Sequence, residues 1–317
     1  MDGLLNVLKP VGMTSFDIVS LVRRWTGTRR VGHTGTLDPD AAGVLVICIG
    51  KATRAVEYLT EKDKEYRAEM CLGTETDTQD ATGKVLRSVV PDMTDERILE
   101  VVRGMAGDRM QMPPMYSALK VDGKKLYELA REGRVIERAS RPIRIARCEP
   151  LSVCREADRI RVLMDVACSK GTYIRTLCHD MGTLLGCGGH MSFLLRMRSG
   201  SFLLEDAISL ESLDRAAADG TIGQCLMPVD TAFAGLPTVS AAPAAAARLM
   251  NGQTVPASWF AGVPMAENEN RESGINIPAA ATGIFRVYDE TRFLGLGRRE
   301  EISGAEPTAM IRLFRQM

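Results

Sequence analysis

Hydrophobic residues near the start of the chain recur with the period of a helix. They have the i, i+3, i+4, i+7 spacing of one helix face, which predicts a helix that begins after a cap at Thr14 or Ser15 and ends at Gly27. The apolar positions of this face are Ile18, Leu21, Val22 and Trp25.

The remainder of the first 235 residues mixes strand and helix patterns. An uninterrupted apolar run at 44–49 predicts a buried central strand, and alternation at 65–72 and 160–168 predicts two half-buried strands. Helical spacing predicts helices at 98–105 and 174–185. Because no regular βαβ repeat connects these elements, we predict an α+β fold with a mixed, largely antiparallel sheet.

The pattern then changes, and it predicts a first domain at 1–235 and a small β-rich second domain at 236–317. An Ala- and Pro-rich stretch at 237–247 precedes an Asn-Gly pair at 251–252, which indicates a turn. The polar segment 266–273 predicts a mobile loop. Short strands are predicted at 283–288, 292–297 and 310–314.

Composition argues against membrane insertion, secretion and metal binding. The uncharged run at 41–50 is much shorter than the ~20 residues that span a bilayer, and Asp2 stands where a signal peptide would be basic. Eight cysteines form no C-x-x-C pair, so we expect reduced thiols and a cytoplasmic location. The cysteines and histidines at 178–190 lack the spacing of a standard zinc site, so no metal is expected.

Charge is balanced over the whole chain but not along it. The formal net charge is zero, whereas 120–147 contains nine basic and four acidic residues. Such a segment suits a phosphate backbone, and it also suits a solvated helix face of mixed charge. Charge alone leaves both interpretations open.

A loop around Asp38 carries the most specific candidate chemistry. Glycines at Gly32, Gly35 and Gly43 allow a ligand to approach the backbone closely, and Pro39 biases Asp38 toward an extended conformation. The predicted buried strand would hold this loop rigidly. An ordinary turn that starts at Asp-Pro is the alternative interpretation.

Longer motifs resemble those of the TruB family of pseudouridine synthases, over about residues 1–235. The segment Gly32-His33-Thr34-Gly35-Thr36-Leu37-Asp38-Pro39 continues to Gly43-Val44-Leu45 and Gly50-Lys51-Ala52-Thr53-Arg54. Further blocks follow in the order of the family. They are Lys9-Pro10 with Gly12, Thr14 and Ser15; Lys64-Glu65-Tyr66 with Gly73, Thr76-Asp77-Thr78, Asp80 and Gly83; Gln111 with Pro113-Pro114, Tyr116-Ser117-Ala118 and Lys120; Cys168 to Leu177; and Gly186 to His190 with Leu194 and Arg196.

The resemblance implies a pseudouridine-synthase catalytic domain followed by a PUA-like RNA-binding domain. The implied reaction converts uridine 55 in the T-loop of tRNA to pseudouridine after the target base is flipped out, without metal or cofactor. It implies Asp38 as the nucleophile. Attack at C1′, assistance to a glycal route and addition at C6 all remain open.

The family motifs also imply roles for individual side chains. Arg175 would keep Asp38 ionised and aim it, and Tyr66 would stack on the target base. Leu195 stands where many relatives carry Arg, which predicts one lost contact. The residues implied to bind substrate are His33, Tyr173, Leu194, Lys9 and Lys120.

Three other functions are alternatives on the same scaffold: a guide-RNA-dependent enzyme, a tRNA-folding protein and a hydrolase. A basic insertion at about 109–147 suits a stand-alone monomer that clamps the T-stem-loop, rather than an enzyme that needs a guide RNA. A tRNA-folding role could coexist with catalysis, or replace it in a non-catalytic RNA-binding protein. A hydrolase would need a second positioned carboxylate besides Asp38, and the sequence places none.

Overall fold

The computed structural model describes residues 1–121, 123–256, 259–261, 284–290, 292–302 and 308–316. The predicted loop at 266–273 lies outside these residues. The strands are β1 Gly3–Lys9, β2 Val31–His33, β3 Ala42–Ile49, β4 Lys64–Leu72, β5 Thr74–Thr76, β6 Val85–Ser88, β7 Gly107–Gln111, β8 Lys120–Val121, β9 Lys124–Lys125, β10 Arg141–Arg155, β11 Ile160–Cys168, β12 Gly189–Ser199, β13 Phe202–Leu203, β14 Thr238–Ala241, β15 Val255–Pro256, β16 Phe260–Ala261, β17 Ile284–Asp289, β18 Arg292–Ile302 and β19 Thr308–Gln316. The α-helices are α1 Ser15–Thr26, α2 Val56–Thr60, α3 Asp95–Arg103, α4 Leu126–Arg131, α5 Ile174–Leu184, α6 Leu210–Ala218 and α7 Pro243–Met250. Short 3-10 helices occur at Gly50–Ala55, Ile222–Cys225 and Val229–Phe233.

Two large sheets organise these elements, and they confirm the predicted α+β fold. The first sheet has the order β1-β3-β12-β4-β11-β10-β7, with β2 beside β3 and β13 beside β12. The second has the order β15-β19-β18-β17-β14-β16 and is the predicted β-rich C-terminal part. Each sheet has one parallel pair, β12 with β3 and β14 with β17, and its other pairs are antiparallel.

The first helix forms where the sequence predicts it because both of its ends have specific caps. Thr14 accepts a hydrogen bond from the backbone N–H of Asp17, whose carboxylate accepts one from the N–H of Thr14. This reciprocal pair satisfies donors that the first helical turn leaves free. Gly27 ends the helix in the left-handed conformation, with φ of 65°.

Strand β3 is buried on both faces, which explains its uninterrupted apolar sequence. Leu45, Ile47 and Ile49 pack in a core with helices α1, α3 and α5. The alternate residues of β3 pack in a second cluster that includes Phe233 and, from the C-terminal sheet, Leu296. The strand that follows the Asp38 loop is therefore held rigidly from both sides.

Candidate active site

The loop that carries Asp38 connects β2 to β3 and is fastened to the start of α1. The hydroxyl of Ser15 accepts a hydrogen bond from Leu37 N at 2.8 Å and donates one to Leu37 O at 3.0 Å. The backbone N–H of Gly12 donates to Pro39 O at 2.8 Å. Both neighbours of Asp38 are thus fixed by contacts to the chain before α1 and to its first residue.

Lys9 lies behind this loop and not in front of it. Its ammonium donates to the carbonyls of Ala41 at 2.6 Å, Pro10 at 2.9 Å and Pro39 at 3.2 Å. The side chain is fully buried, and burial lowers the pKa of Lys9 to about 8. The expectation that Lys9 binds substrate is therefore corrected: its donors hold the backbone of the Asp38 loop.

Arg196 supports the same loop from strand β12. Its guanidinium donates to Val44 O at 2.7 Å and to Gly35 O at 3.0 Å. A Cβ on Gly43, whose φ is 111°, would lie 2.3 Å from the carbonyl oxygen of Arg196, so only glycine allows this close approach. Arg196 belongs to one of the family's sequence blocks, but no local pattern predicts that its side chain supports the Asp38 loop.

Arg175 contacts the Asp38 carboxylate directly. Its Nε lies 3.1 Å from Asp38 Oδ2, and only 8% of the Arg175 side chain is exposed. The rest of the guanidinium donates to Asp80 Oδ2 at 3.2 Å, Thr78 O at 3.3 Å and Tyr116 O at 2.7 Å. Arg175 is therefore anchored on three sides, and its orientation toward Asp38 is fixed.

The Asp38 side chain is partly enclosed by protein and partly exposed to solvent. Burial raises the pKa of its carboxyl above the ordinary value, the charges of Asp80 and Asp40 raise it further, and Arg175 and Lys9 oppose the rise. Nevertheless, 39% of the Asp38 side chain remains exposed. A ligand can therefore reach this carboxylate, and the guanidinium of Arg175 beside it favours the ionised form against the effect of burial.

Tyr66 and Leu194 lie on the adjacent central strands β4 and β12. Tyr66 pairs with Arg196 across these strands, and Leu194 pairs with Ala68. Both side chains are more than nine-tenths buried. Burial raises the pKa of the Tyr66 phenol, and a hydrogen bond with Arg196 opposes the rise; the charge of Asp38 also acts on this phenol. The structure thus brings Tyr66 into the electrostatic environment of Asp38.

Tyr173 is the N-cap residue of helix α5, two residues before Arg175. Its N–H donates to Gln111 Oε1 at 2.8 Å, and Gln111 Nε2 donates to Tyr173 O at 3.0 Å. Burial raises the pKa of the Tyr173 phenol, on which the charges of Arg175 and Asp38 also act. Gln111 therefore fixes the chain that delivers both Tyr173 and Arg175 to the site.

His33 ends β2 and is half-buried. Its pKa is lowered by burial and by the positive charge of Arg196, so the ring is neutral at pH 7. Its Nδ1 accepts a hydrogen bond from Gly35 N at 3.4 Å. A neutral ring suits stacking and hydrogen bonding to RNA.

Two further sequence predictions concern Lys120 and Leu195. The backbone of Lys120 pairs with Lys125 in the β8–β9 hairpin, while its side chain lies outside the described part of the structure, so its RNA contact stays a prediction. Leu195 is half-buried and pairs with Ala42 and Arg67.

The described side chains and helices also bear on metal binding and membrane insertion. Within the described ranges, no cluster of three or more His, Cys, Asp or Glu side chains has metal-binding geometry. All eight cysteines are free thiols. Among the helices described, none is long and apolar enough to span a bilayer.

Comparison with known proteins gives matches over nearly the whole chain. Family models described as TruB family pseudouridylate synthase (N terminal domain) and tRNA pseudouridylate synthase B C-terminal domain match residues 23–174 and 175–234. A protein from Alkaliphilus oremlandii named tRNA pseudouridine synthase B is 47% identical over 82% of this chain and 85% of its own length. One of the same name from Aromatoleum aromaticum is 40% identical over 98% of this chain and 93% of its own length.

A solved structure has the same fold. A chain in a crystal structure of a Cbf5-Nop10-Gar1 complex aligns with a TM-score of 0.69 and 26% identity, covering 99% of this chain and 84% of that chain. The fold and the matches together define a pseudouridylate synthase. The chain belongs to the TruB family of these enzymes, so the resemblance carried by its sequence motifs is confirmed.

Proposed function

We propose that this protein converts uridine 55 in the T-loop of tRNA to pseudouridine, with Asp38 as the nucleophile and the target base flipped into the site. The proposal depends on one observation above all: the accessible carboxylate of Asp38 lies 3.1 Å from a buried, fully anchored guanidinium of Arg175. The tRNA substrate is supported by the printed names of relatives at 40–47% identity.

The site chemistry suits an exchange of bonds within one nucleotide. The C1′–N1 bond breaks, the uracil turns, a C1′–C5 bond forms, C5 loses its proton and N1 gains one, so the atoms balance without an added reactant. An ionised Asp38 supplies the nucleophile, and attack at C1′, a glycal route and addition at C6 are all compatible with its position. Tyr66 and Leu194, buried on adjacent strands, supply surfaces against which a uracil ring can pack.

Flipping the target base costs a few kcal/mol, and a structured RNA loop with splayed bases lowers that cost. This supports a tRNA loop over a duplex as substrate. The basic segment within 109–147 and the C-terminal sheet provide RNA-binding surface in the chain itself, which supports a monomer that works without guide RNA. We infer a cytoplasmic location from the free cysteines and the tRNA substrate.

Release of tritium from C5-labelled uridine in a T-stem-loop transcript tests the proposal. We expect the parent protein to release label from the position of uridine 55 alone, and Asp38→Asn to release none while binding tRNA with unchanged affinity. Because Asp38→Asn is expected to bind tRNA without catalysis, any effect of this variant on tRNA folding measures a folding role separately from pseudouridine formation. Asp40→Asn is the matched control, because Asp40 is an exposed carboxylate in the same loop. Substantial turnover by Asp38→Asn, or label released elsewhere, would refute the proposal.

A further inference from the structure

Residues 78–80 form a tight turn that crosses the first turn of helix α5. Each of the three residues contacts either Arg175 or the next residue, Thr176. Thr78 offers its carbonyl and Asp80 its carboxylate to Arg175, while the Gln79 side-chain oxygen accepts a hydrogen bond from Thr176 Oγ1 at 2.8 Å.

The middle residue of this turn has an unfavourable backbone conformation. Gln79 has φ of 64°, and of the described residues only one other that is not glycine, Glu290, has a positive φ. This left-handed region favours glycine, because a Cβ crowds the neighbouring carbonyl oxygen. Strained residues of this kind cluster at functional sites, where surrounding contacts hold them in place.

The strained conformation has a geometric consequence for Arg175. It reverses the chain between Thr78 and Asp80, so the Thr78 carbonyl and the Asp80 carboxylate both face the same guanidinium nitrogen of Arg175, Nη1. An extended residue at Gln79 would carry these two acceptors apart, because successive residues of an extended chain point to opposite sides.

The side-chain bond to Thr176 opposes relaxation of the turn. Thr176 is 4% exposed, so its hydroxyl is shielded from solvent and makes a well-protected contact with Gln79. Backbone bonds fasten the same turn to β12, where Met191 N donates to Gln79 O at 3.0 Å and Ala81 N donates to Met191 O at 3.0 Å. Gln79 is thus held by its backbone to a central strand and by its side chain to α5.

We infer that the Gln79–Thr176 hydrogen bond is a positioning contact: it holds the strained turn in the shape that orients Arg175 toward Asp38. Both residues act through Arg175. The inference rests on the proposed function. It adds a contact outside the Asp38–Arg175 pair on which the rate of pseudouridine formation depends.

Substitutions on α5 test this inference in single-turnover assays with saturating enzyme. Thr176→Val removes the donor with little change of shape, and we expect the rate to fall about tenfold, because small misplacements of catalytic groups are costly. Affinity for the T-stem-loop should not change. Thr176→Ser keeps the donor and should restore most of the rate. Thr183→Val is the matched control, since the exposed Thr183 hydroxyl bonds only the His179 carbonyl on the same helix.

The pH profile separates positioning from general destabilisation. The charged groups that act on Asp38 are Arg175, Asp80, Lys9 and Asp40, and Arg175 is the one that most strongly holds its pKa down. If Arg175 turns away in Thr176→Val, the acid limb of the rate profile moves to higher pH. A variant that merely unfolds in part loses amplitude without moving this limb.

A double-mutant cycle keeps the test decisive if one variant folds poorly. Gln79→Gly tolerates the positive φ but lacks the amide, so its rate should fall as in Thr176→Val, and the double variant should fall no further. An unchanged rate in Thr176→Val, an equal loss in Thr176→Ser, or additive losses in the double variant would overturn the inference. An inactive parent protein would instead refute the proposed function.

Discussion

At the scale of single residues, the site depends on opposed electrostatic effects at Asp38. Burial and the nearby carboxylates of Asp80 and Asp40 disfavour its charged form, whereas Arg175 and Lys9 favour it. Of the two basic residues, Arg175 contacts the carboxylate and Lys9 acts from behind the loop. The reactivity of Asp38 is therefore set jointly by the loop, α5 and the segment around Asp80.

This balance predicts an acid limb in the rate of pseudouridine formation. The rate should fall as pH drops through the pKa of Asp38, because the protonated carboxyl is a poor nucleophile, and the midpoint should lie above 3.8 because burial raises this pKa. Arg175→Gln should move the midpoint to higher pH and lower the plateau about 100-fold. Single-turnover rates between pH 4 and 8 measure both effects.

Arg97→Gln is the control for this profile, since Arg97 lies on α3 and pairs with Glu100 on the protein surface. It should leave the midpoint and the plateau unchanged. A midpoint that stays fixed in Arg175→Gln would show that Arg175 does not govern the ionisation of Asp38.

At the scale of elements, helix α1 fastens the loop that carries Asp38. Ser15, its first residue, is buried and exchanges two hydrogen bonds with the backbone of Leu37, directly before Asp38. The capping box formed by Thr14 and Asp17 fixes where the helix begins, and so fixes Ser15 opposite Leu37. The start of α1 and the Asp38 loop are thus joined into one structural unit.

We predict that Ser15→Ala destabilises the protein by about 2 kcal/mol, because it leaves the buried N–H of Leu37 without an acceptor. Urea unfolding measures the change. Ser20→Ala on the same helix is the matched control: the exposed Ser20 hydroxyl bonds only a carbonyl of its own helix, at Phe16, and the expected change is within about 0.5 kcal/mol. Equal effects of the two substitutions would argue against the role given to Ser15.

At the scale of the whole molecule, the C-terminal sheet contacts the 3-10 helix Val229–Phe233 and the core beneath β3. The Tyr288 hydroxyl on β17 donates to Asp230 Oδ2 at 2.6 Å, and Phe293 on β18 stacks on Phe233 with ring centroids 6.3 Å apart. Leu296 of the same sheet packs in the cluster beneath β3. The RNA-binding surface proposed for the C-terminal domain is therefore held in a fixed relation to Asp38.

Tyr288→Phe tests this junction, because it removes the hydroxyl and keeps the ring. A hydrogen bond to a charged acceptor is worth about 1.5–3 kcal/mol, so the urea midpoint should fall measurably. The rate on an isolated T-stem-loop should stay close to that of the parent. A loss of rate on this short RNA without any loss of stability would contradict the structural role.

The sequence by itself determined much of this protein. Hydrophobic periodicity predicted α1, β4, β11 and α5, because each of these elements presents a regular apolar face to the core. An uninterrupted apolar run predicted β3, which is buried on both faces. The motifs around Asp38 predicted the TruB family, which the comparisons confirm, and they are the basis on which Asp38 is proposed as the nucleophile. The glycines and the proline of this loop encode its shape locally.

Only the tertiary structure decided which side chains meet. Lys9 has the same sequence signature whether it faces RNA or the carbonyls behind the loop, and the structure places it behind. The neighbours Arg175, Asp80, Gln79 and Thr176 converge because α5 crosses the 78–80 turn, a contact between segments about 95 residues apart. Such contacts depend on packing between distant segments, and local sequence patterns do not encode that packing.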